Sequence, residues 1–526
     1  MNTRNKLFLM MVLEIAIWGA WQPKIFSYMG QLNFFPRQQA LVGSVFGIAS
    51  ILGIFFSNQF ADRNFAAEKF LAFSHAVGGM ALVGAAYQKE FVPFFSCFLL
   101  YGLLYVPTIS VTNSLAFANL KEPAKDFGFV RMGGTIGWIV VSWPFIFLIG
   151  EKATQEQTRW IFLVGAALSF VMAAYSLTLP HTPPRKDVQG LDKLAWLRAA
   201  KLLKHPFVLV LFIVTLIDSV IHNGYFVVSD GFLTNRVGIA GNLSMVVMSI
   251  GQVAEIATML VLGTVLARLG WKWTMVVGIL GHAARFAAFA YCPEMKGLII
   301  GVQVLHGICY AFFFASVYIF VDAVFPKDVR ASAQGLFNLL ILGVGMVVAS
   351  FLFPMLQGKW VNQPLLDGLM KRADVLGILG SSEAGQKIIA EPSLAALGKI
   401  EPLKQTMQDA WLHSNWQQLF LVPTALAILG IILLALFFKP PTERPESPAK
   451  YLLHDVGFSF HIGLLCFVAI TPPARSSLIE NWRHSHHLLR EKRAPCTSKR
   501  RLFQNRLSKE IQPNFNIHFL LKREDV

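Results

Sequence analysis

The chain of 526 residues is 55% hydrophobic and only 14% charged, with a mean hydropathy of +0.53. Soluble domains carry charge on about a quarter of their residues, so these values exclude an ordinary soluble globule. The net charge of +16 does not signal nucleic-acid binding, because much of it sits in short loops and in residues 440–526, where 14 Lys+Arg face 8 Asp+Glu.

Long apolar runs recur from end to end and lack the alternating segments of about ten residues that build a membrane barrel. Helices are therefore the expected spanning element. The first run, 7–29, is too long for a signal-peptide core and reads as a span. Further spans are predicted at 40–60, 69–87, 92–117, 133–150, 159–179, 206–234, 243–267, 272–292, 297–325, 332–356 and 416–438. Connections on one side carry Arg63 and Lys69, then Lys121, Lys125 and Arg131, then six Lys/Arg between 185 and 204, then Arg268 and Lys272, then Lys327 and Arg330. The positive-inside rule places that side, and with it both termini, in the cytoplasm.

The longest of these connections, 180–205, follows the sixth span. It starts with LPHTPPRKD and continues as the amphipathic LDKLAWLRAAKLLKH. Span two ends in NQFADRNFAAEKF and span eight in LARLGWKW, about 206 residues later. Parallel repeats of a two-half transporter have this form. The expected fold is an all-α polytopic membrane protein with twelve transmembrane helices in two six-helix pseudo-symmetric halves. Residues 1–179 form the first half, 180–205 the linker and 206–438 the second half, with an external insertion at 357–415. Residues 439–526 form a basic cytoplasmic tail, expected to be poorly ordered, whose 458–470 stretch is too short and polar for a thirteenth span.

Ionisable residues inside a span cost about 2.5 to 3.5 kcal/mol on insertion scales and so face a cavity or a partner. Here they are Glu14, Arg131, Asp218, Asp230, Glu255, Arg285 and Asp322. Glu255 stands out because Gln252, three residues earlier, shares its helix face. An amide and a carboxylate together suit hydroxyls or an NH-bearing ring; pairing of Glu255 with Arg285 is the alternative. Arg131 opens RMGGTIGWIVVSW, where Gly133, Gly134 and Gly137 invite close helix packing. Thr135 and Trp138 share a face, and the indole offers a stacking surface. His306 and Tyr310, four apart, suit an aromatic ligand or an aromatic packing stripe. Asn223 precedes the helix-weakening Gly224 and is a candidate to line a site. No HExxH, Walker or GxSxG motif is present, so no enzyme is expected. Five scattered cysteines and the absence of histidine pairs at metal spacing within a span imply no metal or other cofactor; His484, His486 and His487 are a weak adventitious metal signal.

WGAWQPKIFSYMG (18–30), YVPTISVTNSLAF (105–117), RMGGTIGW (131–138), GQVAE (251–255), ARFAAFAY (284–291) and RASAQG (330–335) resemble, in order and spacing, the nucleoside:proton symporter family of the major facilitator superfamily. The likeness runs from about residue 7 to 440, leaving out most of 357–415. It implies a central nucleoside site between two six-helix halves, with Arg131, Thr135, Gln252 and Glu255 at the family's central polar positions. His306 and Tyr310 fall where the family places ring-bearing residues, and Asn223 is the nearest span-seven amide. Trp138 stands where some relatives have phenylalanine. The family can carry a proton-coupling aspartate where this chain has Ala311, so coupling is assigned to Glu255 or Glu14. The expectation is a monomeric inner-membrane importer of nucleosides in the lipid bilayer, coupled to protons and working by alternating access. A sugar or metabolite carrier, or a non-transporting sensor or scaffold, is the alternative.

Overall fold

The computed structural model describes residues 2–53, 65–184, 202–325 and 330–439. The corner after the second predicted span, most of the 180–205 linker, and the tail with its apolar 458–470 stretch and histidines lie outside the described residues. Among the described residues every regular element is helical.

Helix α1 (Thr3–Trp21) starts where the Asn2 side chain accepts a hydrogen bond from Asn5 N, satisfying one of the amides left free at a helix start. Helices α2 (Pro36–Leu52), α5 (Pro123–Ser142) and α7 (Pro206–Gly231) each begin with a proline, whose missing N–H costs nothing there. Helices α3 (Ala67–Tyr87), α4 (Phe91–Asn119) and α6 (Trp160–Ser176) complete the first group. The long α8 (Ser244–Tyr291) would extend about 70 Å if straight, more than twice a bilayer core. It breaks at Gly270, whose φ of 70° is a left-handed conformation that glycine adopts without a Cβ clash. The break falls between the predicted spans 243–267 and 272–292. Then come α9 (Lys296–Val324), α10 (Gly345–Gln357) and α11 (Gln417–Phe437).

Nine helices among the described residues are long and apolar enough to cross a membrane. Their buried side chains form two main clusters. One draws on α1–α6, with Met245 and Met346 added; the other draws on α7–α11. Residues 363–412, within the segment expected as an external insertion, fold into short helices around a third, small cluster that includes Val375, Leu379, Leu397 and Leu403, so this stretch has a core of its own.

Wide π-type turns interrupt the helical ladder at Tyr310–Ala315 and Leu339–Val344. Such turns leave carbonyls without their usual partners and often mark functional positions. Ser219 takes up two of them, donating to Leu340 O at 3.1 Å and Ile341 O at 2.9 Å.

Candidate functional site

Four of the residues singled out by sequence meet where α5, α8 and α9 converge. Thr135 on α5 hydrogen-bonds the Glu255 carboxylate on α8, and the Arg131 guanidinium, one turn before Thr135, lies within electrostatic reach of the same carboxylate. Tyr310 on α9 is in the field of both Glu255 and Arg131. Tyr318 is in that of Tyr310 and Arg131. Arg131 is exposed even though its charge reaches Tyr105 on α4 as well as α8 and α9. The cluster therefore reaches the surface of the protein at Arg131.

Glycines make this convergence possible. A Cβ on Gly137 would come within 2.1 Å of Val12 O, and one on Gly133 within 2.6 Å of Phe8 O, so this stripe lets α5 lie against α1. A Cβ on Gly307 would sit 2.2 Å from Glu255 N, so α9 lies directly on the backbone that carries the carboxylate. Gly307→Ala is expected to push the two helices apart, with an overpacking cost of about 1–3 kcal/mol. The check is a lower melting temperature than that of Gly335→Ala, where a Cβ meets nothing within 4 Å.

The other candidates are distributed around this cluster. Gln252 is 6% exposed and its Oε1 has no hydrogen-bond partner. Trp138 stands edge-on to Trp18, with ring centroids 5.7 Å apart, and to Phe226 at 5.6 Å. Asn223 donates to Ser219 O at 2.9 Å and to Ile341 O at 3.3 Å. It lines a cleft with Trp21, Gln22, Phe26, Met346 and Ser350, at the seam of the two main clusters; none of Arg131, Thr135 and Glu255 lines that cleft. His306 is 1% exposed, accepts from Arg285 Nη1 at 2.8 Å and stacks on His222 at 4.8 Å. Arg285 is thus held by His306 and, at 3.1 Å, by His282 rather than by Glu255, with its guanidinium 4.2 Å from the centre of the Tyr225 ring.

Glu14 is fully buried and fully engaged. Its Oε2 lies 2.9 Å from His75 Nε2, and its Oε1 accepts from Thr108 at 2.6 Å.

A further feature was not legible as a pair. Lys24, just after α1, donates to Asp230 Oδ1 on α7 at 2.8 Å, and Ser244 donates to the same oxygen at 2.5 Å. Lys24 and Asp230 are 1% and 2% exposed. Nearby segments join the two groups again: Gly241 N donates to Glu151 O at 2.7 Å, and Asn242 donates to Ile146 O at 3.3 Å. Asp230 was visible in the sequence as an ionisable residue inside a span, which called for a partner; Lys24 also falls inside the predicted span 7–29, was not singled out, and gives no sign of which carboxylate it meets.

Residues 1–369 match the family described as Nucleoside H+ symporter. The Escherichia coli (strain K12) protein YegT, to which a nucleoside-transport role is attributed, is 33% identical over 362 residues, covering 66% of this chain and 83% of that protein. Nucleoside permease NupG of the same organism is 28% identical over 386 residues, 70% of this chain and 90% of its own. A crystal structure of nucleoside transporter NupG superposes with a TM-score of 0.65 at 23% identity, covering 84% of this chain and 100% of that one. A D-xylose-proton symporter reaches 0.58 at 13% identity, over 84% and 99%. At these identities the structural likenesses show the fold alone.

Proposed function

Because this chain belongs to the nucleoside H+ symporter family, we propose that its convergent Arg131, Thr135, Gln252, Glu255 and Tyr310 bind a nucleoside and couple its passage to a proton. The chain is a multi-pass membrane transporter of nucleosides and not an enzyme. The observation that carries the site assignment is Glu255: a carboxylate within a span, hydrogen-bonded to Thr135, under the field of an exposed arginine. Gln252, one turn away, supplies a buried acceptor without a partner, suited to a ribose hydroxyl or a base N–H. Trp138 and Tyr310 offer ring faces for the base, and Asn223 an amide at the seam. His306 acts from behind this layer, through His222. Glu255 is the proton carrier nearest the substrate, and Glu14 is the second candidate, held by His75 and Thr108.

The assembly consistent with this reading has twelve spans in two six-helix halves, 1–179 and 206–438, joined by 180–205. The two limbs of α8 count as two spans, and 357–415 is an external insertion. The protein sits as a monomer in the inner-membrane bilayer with both termini cytoplasmic. Lys24–Asp230 and the contacts of 241–242 then hold the external end shut while Arg131 is open to the other side.

Uptake of radiolabelled uridine or adenosine in a host without its own nucleoside carriers tests this. The expected result is uptake that a protonophore lowers about tenfold, within the usual range of coupling factors, and that free ribose does not compete. Uptake indifferent to the protonophore would mean uniport, and competition by ribose alone would favour a sugar carrier.

A further inference from the structure

Behind the central cluster lies a second group of ionisable side chains with no role in the reading above. Asp218 on α7 is completely buried, and neither of its carboxylate oxygens has a hydrogen-bond partner. The nearest opposite partner is His282 on the second limb of α8, with Nε2 3.7 Å from Asp218 Oδ1; that is too far for a hydrogen bond. His282 Nε2 is itself unpartnered. Arginine only donates, so the 3.1 Å contact from Arg285 to His282 Nδ1 makes that nitrogen an acceptor and leaves the ring proton on Nε2, facing Asp218. An acid and a donor thus face each other across a gap that a movement of less than 1 Å would close.

The first half contains the same device in its closed form. Glu14 sits on α1 and His75 on α3, 2.9 Å apart. Asp218 follows Glu14 by 204 residues and His282 follows His75 by 207, close to the offset of about 206 seen in the sequence echo. Each group of helices therefore places a carboxylate on its first helix and an imidazole on a later one at repeat-related positions. The Glu14 pair is joined and supported by Thr108; the Asp218 pair is apart.

We propose that Asp218 and His282 form a proton-binding site distinct from Glu255, whose occupancy reaches the central cluster through Arg285 and His306. The proposal rests on the transport reading above. On loading, a hydronium ion gives up one O–H bond as its proton forms an O–H bond on an Asp218 carboxylate oxygen, leaving water; on release that bond breaks and the proton returns to a water molecule. Ionised Asp218 attracts the His282 N–H and the Arg285 guanidinium, drawing Arg285 away from His306 Nδ1. Neutral Asp218 leaves Arg285 on His306, as seen at 2.8 Å. His306 stacks on His222, whose ring centre lies 6.0 Å from that of Tyr310, so the change is felt in the central cluster.

The groups facing Asp218 are few. They are His282 and Arg285 from α8 and Cys309 from α9; His306, His222 and Tyr225 stand one step further out, against Arg285 or His282. Residues 339–357 and 417–437, which also pack on α7, contain no titratable side chain. Lys204 and Arg236 are 14 and 18 residues away along the helical run, about 20 Å or more. Tyr28, on the short helix Ile25–Gln31, is hydrogen-bonded by Gln155 within the first group.

The full chain in liposomes tests this, read by counterflow exchange of uridine without a gradient, by accumulation under an imposed pH gradient, and by an internal pH dye. Asp218→Asn is expected to keep counterflow within about twofold while accumulation and the uridine-dependent proton signal fall about tenfold or more. If Asp218→Asn loses counterflow, His282→Gln decides, with the same expected split. Either variant with counterflow intact and unchanged gradient-driven accumulation overturns the proposal. Loss of counterflow in both overturns it as well, since the pair would then be structural. Wild-type protein without uridine exchange would instead refute the transport reading.

Discussion

Lys24→Met is expected to release one end of the molecule. The change leaves Asp230 buried with only the Ser244 hydroxyl as donor, since its Oδ2 already has no partner. Removing one member of a buried ion pair costs about 3–5 kcal/mol, because the remaining charge is uncompensated. The cost applies only where Asp230 stays buried, so it favours any state in which the end opens. A bias of this size changes the ratio of closed to open forms about a hundredfold or more. The Gly241 amide reports the opening, since it donates to Glu151 O across the two groups. Its hydrogen exchange should accelerate by a similar factor in Lys24→Met. Lys24→Met/Asp230→Asn should recover much of the protection, because the double variant leaves no buried charge. Unchanged exchange in the single variant would mean that the pair does not hold this end.

Glu255→Gln should weaken nucleoside binding more than any other conservative change in the site. Glutamine keeps the shape and a carbonyl for Thr135, so the helix packing set by Gly307 survives. What disappears is a charged acceptor, and hydrogen bonds to charged groups contribute about 1.5–3 kcal/mol. The dissociation constant should therefore rise about 10- to 150-fold. Arg131 would also lose its nearby counter-charge, which makes rescue by raised substrate concentration incomplete. Titration calorimetry with uridine and adenosine measures this directly. Binding equal to wild type would remove Glu255 from the site.

The sequence carried the membrane character, the positions of the apolar runs and the shared helix faces of Gln252 with Glu255 and of Thr135 with Trp138, while the meeting of Arg131, Thr135, Glu255 and Tyr310 was implied by the family resemblance alone. The former were legible because a charge inside an apolar run has few tolerable environments, and because spacing of three or four residues fixes a shared helix face. Partners on different helices were not legible, since helix rotation and depth decide them. Glu14 could be seen to need a partner, but nothing in AFSHAVGG marked His75 as that partner. Arg285 was an open alternative for Glu255 and instead lies between His282 and His306. The core of 363–412 was hidden by its mixed charge, because seven buried side chains spread over several short helices make no long periodic pattern.

The most direct measurement is a thermal-shift panel on the purified full-length protein with nucleosides, free bases and ribose. A ligand that binds only the folded form raises its melting temperature in proportion to the logarithm of its occupancy ratio. A shift with nucleosides that is absent with ribose, and lost in Glu255→Gln, is the predicted result. A shift with ribose alone, or an equal nucleoside shift in Glu255→Gln, would contradict a nucleoside site built around that carboxylate.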